Sequence, residues 1–147
     1  MSEKQAYISN AIPSNRTNAA GLKAYLSGIY NSNTNATNVV FLIGHVTIPY
    51  SGTTSREDNH GDHAGAWPCD AWYGDMTGVW SDSPTINIGA PIQNYNVGTD
   101  GRFDDNVLPL EPGGARGRLE MAIGRIDFAF QSAFRPLGSS ETLFDTE

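Results

Sequence analysis

The apolar run Val39-Val40-Phe41-Leu42-Ile43 constrains this chain more than any other feature. A β-branched and aromatic run without polar alternation is the pattern of a strand buried on both faces, as in a parallel sheet. Upstream, Leu22, Tyr25, Leu26, Ile29 and Tyr30 fall at i, i+3, i+4, i+7 and i+8, the stripe of an amphipathic helix over roughly 17–30. Ser14 or Thr17 can cap its start. The Asn-rich run from Asn31 to Asn38 ends it, because asparagine tolerates left-handed turns and competes for backbone hydrogen bonds. Helix, loop and buried strand together read as an α/β unit.

A second strand is expected over Leu119-Glu120-Met121-Ala122-Ile123-Gly124-Arg125-Ile126, its glycine marking the end. Between the strands, from Pro49 to Pro112, glycine, proline, asparagine and aspartate punctuate the text and leave only short apolar clusters. Trp67, Trp72, Tyr73 and Trp80 are expected to supply core there in place of regular elements, with substrate stacking as the alternative for one of them. The fold class is therefore α/β: a small, mostly parallel sheet with flanking helices and a long irregular loop region, in a single domain over 1–147. At 147 residues the chain is large enough to bury a core unaided.

Charge narrows the function. The net charge is −7, and the stretch from Glu57 to Asp105 holds Glu57, Asp58, Asp62, Asp70, Asp75, Asp82, Asp100, Asp104 and Asp105 against the single base Arg102. Such a field repels a phosphate backbone and attracts cations, so nucleic acid is not an expected partner and a metal is. An acidic solvated surface is the alternative, with Arg116, Arg118, Arg125 and Arg135 available to pair with it. No run approaches the ~20 apolar residues of a membrane span, and no signal peptide is apparent, so the chain as it stands reads as soluble, its compartment unknown. With Cys69 as the lone cysteine, an internal disulfide and a multi-cysteine zinc motif are both excluded.

The candidate chemistry is a His/Asp constellation. His45 ends the buried strand, at the edge where α/β sheets present ligands, and His60 and His63 follow with Asp62 between them. Three imidazoles with Asp62 beside them suit zinc or another divalent transition metal, and an open fourth position would hold an activated water. Each histidine satisfying its own polar loop is the alternative. Asp70 and Asp75 are the expected catalytic carboxylates, able to ligate the metal, orient an imidazole or accept a proton from metal-bound water; otherwise they cap turns beside Gly74 and Gly78. Asp100, Asp104 and Asp105 lie in an oxygen-rich, glycine-containing segment that could hold calcium or form an ordinary Asp/Gly turn.

The segments Phe41-Leu42-Ile43-Gly44-His45, Cys69-Asp70-Ala71-Trp72-Tyr73-Gly74-Asp75 and Met121-Ala122-Ile123-Gly124-Arg125-Ile126 occur in an order that resembles the gingipain-like cysteine peptidases, over roughly residues 20–130. In that family a strand ends in glycine and a polar residue, a small-residue-Asp-x-x-Tyr-Gly segment follows, and an Ile-Gly-Arg strand closes the series. The resemblance implies that the catalytic His-Gly and the nucleophilic cysteine lie beyond the Ile-Gly-Arg strand, where no residue here matches them. It also places Cys69 at a small-residue position, as a packed hydrophobe. The resulting expectation is a truncated peptidase-like scaffold working as a metal-dependent hydrolase, with a zinc-activated water acting on a small-molecule ester or phosphoester. The alternative is a non-catalytic fragment or structural subdomain with a structural metal. No membrane partner is expected, and homo-oligomerisation is left open.

Overall fold

A computed structural model describes residues 18–32, 34, 38–53, 64–83 and 91–128. Helix α1 spans Ala19–Ser32. Its start is capped by Asn18, whose side-chain oxygen accepts the Gly21 amide at 2.7 Å; Ser14 and Thr17 lie outside the described residues. Leu22 and Leu26 of the predicted stripe are buried, and Tyr25 and Tyr30 pack at the edge of the same core.

Strand β1, Asn38–Ile43, pairs in parallel with β4, Met121–Ile126, in the register Asn38 to Met121 through Ile43 to Ile126. Between them lie the short antiparallel pair β2, Tyr50–Ser51, and β3, Trp67–Pro68, then helix α2, Ala71–Gly74, and a 3-10 turn, Ile92–Asn94. The architecture is α/β with a small parallel sheet, two helices and loops, as the sequence pattern requires.

The inward face of the sheet carries Val40 and Leu42 from β1 and Met121 and Ile123 from β4. Together with Leu22, Leu26, Val46 and Tyr73 they form the core, with Trp72 and Met76 at its margin. The outward face corrects one expectation. Val39, Phe41 and Ile43 are 65%, 59% and 61% exposed, so among the described residues β1 is covered on one side only. The reason is topological: β1 pairs with β4 alone there, and the core side chains of α1 and α2 all meet the inward face.

Gly124 corrects another. It lies inside β4 and does not end it, because it stands opposite Phe41 and the Phe41 ring occupies the space where a Cβ would sit, 2.8 Å from Cε2. The long loop region is organised by aromatic packing: Trp72 stacks on Phe103 at 5.2 Å, and Trp80 meets Phe103 edge-on at 5.6 Å. Trp67 is the exception, 44% exposed and outside the core. No helix among the described residues is long and apolar enough to cross a membrane.

Candidate functional site at the carboxyl ends of the parallel strands

Both strands of the parallel sheet end at the same edge, and the polar residues that follow them meet there. Past β1 the chain turns sharply: Gly44 takes a left-handed φ of 91°, its amide donates to the Ile126 carbonyl, and the Val46 amide returns to the Gly44 carbonyl. His45 stands at the tip of this turn. Its Nδ1 lies 3.0 Å from Oδ2 of Asp127, the residue that follows β4, with His45 half exposed and Asp127 largely covered. A carboxylate on Nδ1 fixes the tautomer and orientation of an imidazole.

Arg125 makes the second connection. It lies in β4 opposite Leu42, and its guanidinium reaches past the strand end. Nε and Nη2 donate to Oδ2 and Oδ1 of Asp70 at 2.7 and 2.8 Å, while Nη1 and Nη2 donate to the carbonyls of Val46 and Thr47. This two-pronged arrangement is the strong form of the Arg–carboxylate pair, and the hydrogen bond that Arg125 donates to Asp70 raises the Arg125 pKa further. Tyr73 braces the same turn by donating its hydroxyl to Thr47 O at 2.8 Å, and burial pushes its phenol up to about 12. Asp70 is thus committed to Arg125. Its side chain does not cap α2, whose start has no side-chain cap hydrogen bond.

Asp75 is the most enclosed carboxylate among the described residues, 1% exposed. It accepts the amides of Thr77 and Gly78 at 3.1 and 2.6 Å and the indole N–H of Trp80 at 3.1 Å. Lys23 reaches in from α1 to donate to the carbonyls of Trp72 and Asp75, and lies 5.5 Å from the Trp72 ring centre. Burial lowers the Lys23 pKa to about 8, against the raising effect of Asp75 and Glu120. Glu120 closes the arrangement by accepting the Met76 amide at 2.7 Å. With three donors on its two oxygens and 1% exposure, the Asp75 carboxylate has the surroundings of a structural anchor.

The acidic loop carboxylates are likewise spent on backbone. Asp100 accepts the amides of Val97 and Arg102, and Asp104 accepts the Ser83 amide and hydroxyl and one Asn96 amide proton. Asp105 accepts the Ser81 amide and hydroxyl. The three carboxylates therefore point at separate donors, Asp100 within its own turn and Asp104 and Asp105 across to Ser83 and Ser81. His60, His63 and Asp62 lie outside the described residues. Among the described residues no three His, Cys, Asp or Glu side chains converge on a metal-sized point, and Asp70 and Asp75 are both turned to other partners.

Cys69 sits between β3 and α2, its amide donating to Pro49 O at 2.8 Å. Burial pushes its thiol pKa up, and Asp70 and Asp105 push the same way against two backbone hydrogen bonds that lower it. A reactive cysteine needs the opposite surroundings, an electropositive and partly open site that favours the thiolate. The sequence reading offered Arg125 to the acidic stretch without singling out Asp70, and it missed the Asp127 partner of His45. One signal for both was available, since polar residues flanking two apolar strands in parallel register must share an edge.

Against known proteins, a family model described as Peptidase family C25 matches residues 3–134. No curated protein and no solved structure matches the chain. The family match overturns the expectation of a zinc-dependent hydrolase acting on an ester or phosphoester, because it assigns the chain to cysteine peptidases, which attack with a thiolate and not with a metal-bound hydroxide.

Proposed function

This chain belongs to peptidase family C25, a family of peptide-bond hydrolases, and on that premise we propose that it serves as a scaffold unit of a cysteine-peptidase domain, one α/β unit over 1–147 whose own thiol takes no part in catalysis. The observation that carries the reading is the setting of Cys69, the chain's lone cysteine. Its thiol is half-buried, held in the protonated form by burial and by neighbouring carboxylates. Attack on a peptide carbonyl requires the thiolate, activated by an adjacent base or a depressed pKa; the groups acting on Cys69 raise its pKa overall.

The outward face of the sheet supports the same reading. Parallel sheets are normally covered on both faces, and a row of Val39, Phe41 and Ile43 more than half exposed is what a unit embedded in a larger domain presents when described by itself. The scaffold's contribution is then a rigid sheet edge, with Gly44 to Thr47 locked by Arg125, Asp70 and Tyr73.

The test is hydrolysis of a peptide library by the purified chain and by Cys69→Ser, alongside the rate of Cys69 alkylation by iodoacetamide across pH. The expected result is no cysteine-dependent cleavage, and alkylation that accelerates only above the ordinary thiol range. Cleavage lost on Cys69→Ser, with rapid alkylation near neutral pH, would overturn the reading.

A further inference from the structure

We draw no further inference here: the strongest candidate, the exposed apolar face of the parallel sheet formed by Val39, Phe41 and Ile43 of β1 with Ile126 of β4, carries nothing because no described residue shows what covers it.

Discussion

Asp75 gives the sharpest test of whether the carboxylates of this chain are structural. Replacing it with asparagine keeps the size of the side chain and one acceptor oxygen, so the amides of Thr77 and Gly78 can still be served. The second oxygen becomes an NH2 group facing the indole N–H of Trp80, two donors 3.1 Å apart at a site 1% exposed. Leaving one buried donor unsatisfied costs about 1–3 kcal/mol. Asp75→Ala removes all three charge-assisted bonds and opens a cavity beside Gly78, whose missing Cβ would lie against the Asp75 carboxylate. Part of that loss is recovered where Thr77 and Gly78, both partly exposed, turn to water, so the expected cost is about 3–5 kcal/mol, a large share of the ~5–15 kcal/mol total of an ordinary domain. Urea unfolding followed by tryptophan fluorescence reads both variants. The expected order of midpoints is wild type, then Asn, then Ala, with the slope unchanged. An Asp75→Asn protein whose midpoint matches the wild type would refute the structural assignment and return Asp75 to the candidates for chemistry.

Arg125→Lys removes the two-pronged contact with Asp70 and should cost about 1–2 kcal/mol, whereas Arg125→Met strands a largely covered carboxylate and should cost about 2–4 kcal/mol by thermal melting; an Arg125→Lys protein that melts with the wild type would show that the fork geometry is immaterial. Gly74→Ala sets a Cβ 2.5 Å from the Met121 carbonyl and should destabilise by about 1–3 kcal/mol, more than Gly124→Ala, where only the exposed Phe41 ring must move; the reverse order in a denaturant titration would contradict the packing of α2 on β4. Lys23 titrates near 8 when folded against 10.5 as its ordinary value, so between these pH values the unfolded chain holds the extra proton and the contribution of Lys23 to stability rises with pH. The free-energy gap between wild type and Lys23→Met should therefore shift in favour of the wild type from pH 7.5 to 10, and a pH-independent gap would refute the desolvated lysine. Above pH 10 Tyr73 acts in the opposite sense, since its raised phenol pKa gives stability that is complete below about 10 and is lost as pH climbs toward 12; Tyr73→Phe should flatten that decline in the same titration.

The parts of this molecule that obey a period were readable beforehand. The stripe Leu22 to Tyr30 located α1, and the apolar runs located β1 and β4, because burying one face of an element imposes a repeat on its residues. What the run Val39 to Ile43 could not reveal is how many of its faces find partners within reach, since an uninterrupted apolar strand has the same text whether its second face is covered by this segment or by another. The site was less legible. Asp70 finds Arg125 across 55 positions and His45 finds Asp127 across 82, separations with no local signature. In the loop region, structure is carried by single carboxylates reaching backbone amides, as Asp104 does at Ser83 and Asp82 does at Thr99 and Gly101. Such contacts follow no repeat, so the same aspartates that hold the loops together looked like ligands awaiting a cation.

The pairing of β1 with β4 bears on how this chain is made. Among the described residues, the ladder partner of Asn38 is Met121, roughly 80 residues later. Closing a flexible loop of that length costs about 4 kcal/mol in chain entropy, which no local contact within β1 repays. On a ribosome adding roughly 5–20 residues per second, β1 emerges several seconds ahead of its partner. During that interval Val39, Phe41 and Ile43 form part of an unpaired, uncharged strand with strong β propensity, the profile of an aggregation-prone segment. The flanking text answers this hazard: asparagines precede the run from Asn31 onward and a glycine and histidine close it, short polar gatekeepers on an otherwise adhesive stretch. Synthesis rate and chaperone supply should thus limit the yield of soluble chain more strongly than the stability of the finished fold does.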